Sequence, residues 1–262
     1  MVAWIAKELS SKYRVGILSR GFGRRTNGFQ LLDNQSSPET VGDEPMELRL
    51  LLPGIPIAVD RNRKRGIQLL ASGTFGNIDL IIMDDGFQHR RVKPGYAIIL
   101  DDFNRPMHLE KLLPAGLRRE PLSGLKRADQ IIVTKKENPV PDLQPDSRIL
   151  LITGIANPNP LVKEIAKTGV QYRHLKFRDH YRYTPTDARL IQKTYQESLA
   201  SENQSPVTIL TTGKDYVKLS RFQELADLPL HWIPIGPPIQ ADQKQEILNK
   251  IDKYVERTIG NR

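Results

Sequence analysis

The run Ile78–Met83 (IDLIIM), closed by Asp84, Asp85 and Gly86, constrains the fold of this chain more than any other stretch. A short, continuous, Ile-rich segment bounded by turn signals reads as a strand buried on both faces, the pattern of a parallel sheet. Similar runs recur at Arg14–Leu18 (RVGIL), Ile55–Val59, Tyr96–Leu100 (YAIIL), Ala128–Thr134 (ADQIIVT), Arg148–Thr153 (RILLIT), Val170–Phe177 and Val207–Leu210 (VTIL). Between them lie stretches with helical spacing, among them Met1–Lys12, Met46–Leu52, Arg61–Ser72, Asp187–Ala200 and Gln243–Val255. Strands alternating with helices throughout predict a parallel α/β architecture. The chain opens on a helix followed by a strand, the second half of a βαβ unit, so a first strand is expected just upstream. Lys135–Ser147 is rich in Pro and polar residues and reads as a linker, dividing the chain into a unit over 1–147 and a smaller α/β unit over 148–262 that carries the terminal helix.

Composition narrows the function classes. There is no cysteine, which excludes disulfides and thiolate metal sites and suits a reducing cytoplasm. No stretch approaches the roughly 18–20 consecutive apolar residues of a spanning helix, and the N-terminus lacks the pattern of a signal peptide. Lys and Arg number 39 against 30 Asp and Glu, a formal charge of +9 that favours anionic partners such as nucleotide phosphates, phosphorylated sugars or an acidic membrane surface. With neither a zinc-finger nor an RRM signature present, nucleic acid is not the expected partner.

Five loops carry candidate chemistry, each with a plainer reading beside it. An apolar strand ending in Asp84-Asp85 has the form of a Walker B element holding Mg²⁺, although Asp before Gly is also a common turn signal. Ser19–Arg25 (SRGFGRR) joins two glycines to three arginines after a strand, which suits phosphate binding or a flexible basic loop equally. Asp43 and Glu44 in VGDEP read first as acids capping the following helix, and the RNRKR run at Arg61–Arg65 as a solvated face. Leu112–Pro121 (LLPAGLRREP) is either a ligand loop or a connection. His180, in the strand-to-helix loop FRDHY, is either a proton-moving group held by an acid or a packed surface histidine.

Taken in order, SRGFGRR, VGDEP, DDGFQHRR, LLPAGLRREP, the RAD before IIVT, ITGIANP, FRDHY and TTGKD resemble the blocks of the tetraacyldisaccharide 4'-kinase family, the lipid A 4'-kinases of Gram-negative bacteria, from Val2 to about Pro234. Several spaced blocks in one order are far more specific than any single motif. The resemblance implies a P-loop NTPase-like α/β fold with a second, smaller α/β domain. It implies ATP-dependent phosphorylation of the 4'-hydroxyl of an acylated glucosamine disaccharide 1-phosphate, by a cytoplasmic protein peripheral to the anionic cytoplasmic face of the inner membrane. Carried over residue by residue, Asp43 is the general base and His180 its partner across an interdomain cleft. Asp84, Asp85, Gln88 and Glu120 surround Mg²⁺, and Arg20 and Arg119 face phosphates of ATP or substrate. The family's Walker A loop, GGTGKTP, directly precedes the helix that here begins at Val2, and no GxxxxGKS or GxxxxGKT occurs in the 262 residues. The expectation is therefore a kinase scaffold without its first strand and P-loop, impaired in turnover. The alternative is a non-catalytic protein that binds acylated phospho-sugar or nucleotide. Gly213 departs from the family's TTEKD.

Overall fold

The computed structural model describes residues 1–116, 118–134, 147–200, 205–234, 239 and 241–259. The first unit is built around β1 (Val15–Ser19), whose five residues are all buried. It pairs in parallel with β3 (Ile57–Val59) on one side and β4 (Leu80–Met83) on the other, and β3 carries the short antiparallel β2 (Gln30–Leu31). The resulting order is β2-β3-β1-β4. Helices α1 (Val2–Leu9), α2 (Pro38–Val41), α3 (Asp43–Leu51) and α4 (Arg63–Ala71) flank this sheet. A separate parallel pair follows, β5 (Ile98–Asp102) with β6 (Gln130–Thr134).

The second unit holds an all-parallel sheet of order β10-β9-β7-β8, made of β7 (Arg148–Thr153), β8 (Gln171–Lys176), β9 (Val207–Thr212) and β10 (Leu230–Ile233). Helices α5 (Asn159–Lys167), α6 (Pro185–Leu199) and α7 (Gly213–Leu219) connect its strands. Parallel neighbours need crossover helices, which is why strand and helix alternate in sequence.

Three expectations are corrected by packing. The strand ending at Asp84 is not buried on both faces: among the described residues β4 has β1 as its one partner, and all four of its residues are half-buried. The buried central strand of that sheet is β1. The basic run at Arg61–Arg65 is not uniformly solvated, because Arg63 is only 2% exposed. The terminal helix α8 (Ala241–Ile259) lays Ile247, Ile251 and Val255 against Ile5, Leu9, Val15 and Ile17 of the first unit's core, although it follows the second unit in sequence. The linker read at Lys135–Ser147 lies, but for Ser147, outside the described residues.

Candidate active site

Two glycines knit the loop after β1 to the start of α3. Gly21 and Gly42 have φ of +67° and +99°, and a Cβ on them would lie 2.7 Å from the Val41 carbonyl oxygen and 2.8 Å from the Phe22 carbonyl oxygen. Only glycine tolerates both the left-handed backbone and that approach. Phe22 is thereby brought beside Asp43, the first residue of α3, where an acid is favoured by the helix dipole.

From the second unit, the loop after β8 delivers His180 to the same place, in a left-handed conformation of its own (φ +51°). Its Nδ1 lies 3.2 Å from Asp43 Oδ2, and its ring meets Phe22 edge-on at 5.9 Å between centroids. Asp215 anchors this loop. Completely buried at the start of α7, it accepts hydrogen bonds from the Gly154 amide at 2.8 Å, the Tyr183 hydroxyl at 3.1 Å and the Thr212 hydroxyl at 2.8 Å. Burial and the Asp215 carboxylate push the Tyr183 phenol up, so it stays a donor. The Gly154 carbonyl in turn accepts from the His180 amide at 3.2 Å.

A third group shares the Asp43 carboxylate. Lys218 Nζ, on a side chain only 9% exposed, sits 2.7 Å from the same Oδ2. Two further ion pairs run the same way, from acids on α2 and α3 to bases at α7: Lys214 to Glu44 at 2.7 Å and Arg221 to Glu39 at 2.6 Å. Asp43, His180, Lys218, Arg221, Glu39 and Phe22 line a cavity of about 350 Å³ between the units. Lys218 escaped the sequence reading. The usable signal was Lys214 and Lys218 four residues apart, on one face of a helix.

The other cluster sits where β1 and β4 end. Asp84 Oδ2 accepts from the Ser19 hydroxyl at 3.3 Å, and Arg63 Nη2 donates to the Asp84 carbonyl at 3.0 Å. Burial pushes the Asp84 carboxyl up, and the carboxylates of Glu44 and Asp85 add to this more than Ser19 and Arg63 offset. Glu44 adjoins Asp43 in α3, so the two clusters lie within electrostatic reach. Asp85, exposed at φ +47°, approaches Arg119 Nη1 at 3.5 Å. Arg20, exposed after β1, acts on Arg63 and on His89, whose imidazole is pushed down by burial and then by Arg63 and Arg20.

Not every expected residue joins these clusters. Glu120 is turned to Arg127 Nη2 at 2.5 Å, with Arg90 at 3.7 Å, and Gln88 is exposed in the turn after Gly86. Among the described residues, no three His, Asp or Glu side chains are grouped as a metal-ligand set. Arg63, whose Nη1 also donates to the Asp60 carbonyl at 2.9 Å, is the residue here that sequence reading missed. Its run of basic neighbours looked like a solvated face.

The family model described as tetraacyldisaccharide-1-P 4'-kinase matches residues 1–148 and 138–255. Among curated relatives, the tetraacyldisaccharide 4'-kinase of Parabacteroides distasonis is 32% identical over 98% of this chain and 82% of its own length. That of Flavobacterium psychrophilum is 31% identical over 99% and 83%. The chain belongs to the tetraacyldisaccharide 4'-kinase family. The fold agrees: a crystal structure of an "apo" form LpxK from Aquifex aeolicus, in complex with ATP, superposes with a TM-score of 0.73, 24% identity, and coverage of 97% of this chain and 82% of that one. In this tetraacyldisaccharide 4'-kinase family member, the two α/β units therefore meet over one cavity, with Asp43 contributed by the first and His180 by the second.

Proposed function

We propose that this chain transfers the γ-phosphoryl group of ATP to the 4'-hydroxyl of tetraacyldisaccharide 1-phosphate, at the anionic cytoplasmic surface of the inner membrane. The observation that carries this reading is the Asp43–His180 contact of 3.2 Å across the two units, beside the Asp84–Asp85 carboxylates. His180 Nδ1 and Lys218 Nζ both hold Oδ2 of Asp43, which leaves the other carboxylate oxygen for the acceptor hydroxyl. Asp43 takes the hydroxyl proton as the oxygen attacks the γ-phosphorus and the bond to the β–γ bridging oxygen breaks to release ADP, and His180 steadies the resulting acid. Because the pair is split between units, both must be in place before proton transfer.

The carboxylate corner fits a divalent cation. Asp84 is half-buried among like charges that its own neighbours do not neutralise, the setting that Mg²⁺ would relieve. Asp84 and Asp85 would hold it, with Gln88 nearby and Glu120 available only on leaving Arg127. Held there, the cation would supply positive charge against the negative charge of the nucleotide phosphates. Arg119 and Arg20 bind phosphate oxygens, and Arg63 keeps the Asp84 turn in place.

The test is single-turnover formation of the 4'-phosphorylated product from ATP, with enzyme in excess of tetraacyldisaccharide 1-phosphate. No product above the enzyme-free control would remove the kinase reading. Acceptor or nucleotide binding without product would favour a non-catalytic binding protein instead.

A further inference from the structure

The loop between β5 and the 3₁₀ turn at Leu122–Arg127 takes no part in the chemistry beyond Arg119, yet it exposes more large apolar side chains than any comparable stretch among the described residues. Leu109 is 74% exposed, the most exposed large apolar residue described, and Phe103, Leu112 and Leu113 are exposed with it. Scattered single leucines at a surface need no explanation, but a contiguous group does.

The loop is not loose. The Phe103 amide donates to the Thr134 carbonyl at 2.8 Å and the Met107 amide to Asp101 Oδ1 at 2.7 Å, which seat its first half on β5 and β6. Its second half is closed by the Leu113 amide to the Arg118 carbonyl at 2.9 Å and the Arg118 amide to the Lys111 carbonyl at 3.1 Å. The leucines are therefore held outward by a formed turn. Around them the charge is positive: Arg105, Lys111, Arg118 and Arg119 against Glu110 alone, four minus one, a net +3 over residues 103–119. Arg105 and Glu110 pair with each other at 2.8 Å, and Arg118 is half-buried with its Nη1 donating to the Met107 carbonyl at 3.3 Å, so Lys111 and Arg119 form the basic rim.

We propose that the face of this loop carrying Phe103, Leu109, Lys111, Leu112, Leu113 and Arg119 is the surface by which this chain docks on an anionic bilayer, with Leu109, Leu112 and Leu113 entering the headgroup–acyl boundary and the basic rim on lipid phosphates. Exposed apolar side chains bordered by Lys and Arg are the combination that binds acidic interfaces. A second copy of this chain is the poorer occupant, because an isologous contact would set the same +3 patches face to face. The inference rests on the membrane-surface acceptor of the proposed function, and gives it a route. Arg119 at the end of this loop reaches Asp85, so docking places the carboxylate corner at the lipid surface.

The experiment is co-sedimentation of the full 262-residue chain with phosphatidylethanolamine–phosphatidylglycerol vesicles and with phosphatidylcholine vesicles. Binding to the anionic vesicles is expected, and Leu109→Asp with Leu113→Asp should weaken it by at least about tenfold. The chain has no cysteine, so Leu109→Cys can carry a single environment-sensitive fluorophore. Its emission should shift to the blue on anionic vesicles and be quenched by nitroxide-bearing lipid, a readout that does not depend on the double variant folding. No sedimentation with anionic vesicles would overturn the proposal, as would unchanged binding in the double variant with an unshifted label. Concentration-dependent dimerisation abolished by the same substitutions would also overturn it and identify a second copy as the occupant. The phosphorylation assay in detergent micelles is independent of docking. Its success alongside failed sedimentation would remove this inference alone, and the reverse result would remove the kinase reading alone.

Discussion

Replacing Asp215 by alanine should separate the positioning of His180 from its chemistry. The carboxylate is completely buried, and its loss leaves the Gly154 amide and the Tyr183 hydroxyl as donors without an acceptor. A buried donor left unsatisfied costs about 1–3 kcal/mol, so the pair together costs roughly 2–6 kcal/mol. At roughly 2–4 °C per kcal/mol for a chain of this size class, the melting temperature should fall by about 4–24 °C. Asp215→Asn discriminates the cause. Its amide oxygen can still accept from the Gly154 amide, while the Tyr183 hydroxyl can turn and accept from the new NH₂. Asparagine should therefore recover more than half of the loss. The same ranking is expected for the Asp43–His180 contact, read as the chemical shift of the His180 ring, because the Gly154 carbonyl holds the His180 amide. Urea and thermal unfolding of the three proteins make the measurement. An alanine variant within about 0.5 kcal/mol of the parent, or an asparagine variant as unstable as alanine, would refute the reasoning.

Three other outcomes follow from the same geometry. In single-turnover phosphorylation, Asp43→Ala, His180→Ala and the double variant should all lose the rate to a similar degree, because the two side chains act as one unit; multiplicative losses would contradict this. The Asp84 carboxyl is raised on folding, so the folded state holds its proton to higher pH than the unfolded chain and stability falls as pH rises through that interval. Asp84→Asn should accordingly stabilise the chain at neutral pH, by about 0.5–2 kcal/mol, with the gain fading in acid and with any Mg²⁺-induced rise in melting temperature abolished. A gain independent of pH would count against the charge argument. Gly42→Ala forces a side chain onto φ +99° and to within 2.8 Å of the Phe22 carbonyl oxygen, and should cost roughly 1–3 kcal/mol while displacing the loop that carries Phe22. A melt unchanged from the parent would show that the two loops separate freely.

Much of the candidate site was legible because its signals are local. VGDEP places acids before an apolar helix, and FRDHY places histidine between a strand and a helix, patterns that a window of ten residues contains. What they meet is not local. Asp43 and His180 are separated by 137 positions, and their approach depends on how α3 and the loop after β8 are set by two different sheets. For Lys218 the i, i+4 spacing with Lys214 marks a helix face but not what that face meets. One lysine on a short helix looks like any solvated base until packing reduces its side chain to 9% exposure beside Asp43.

By itself the sequence determined the α/β class, the order of most strands and helices, and the family, since these follow from hydrophobic periodicity, turn chemistry and spaced motifs. Tertiary structure alone decided that β4 is the outer and β1 an inner strand of the sheet among the described residues, that Arg63 is buried against the Asp84 turn, and that α8 returns to the first core. It also decided that Glu120 faces Arg127 and Arg90. The physical reason is common to all four. Periodicity records which face of an element must be covered, whereas the covering partner is chosen by contacts between residues distant in the chain, where volume and charge compensation are settled only on packing.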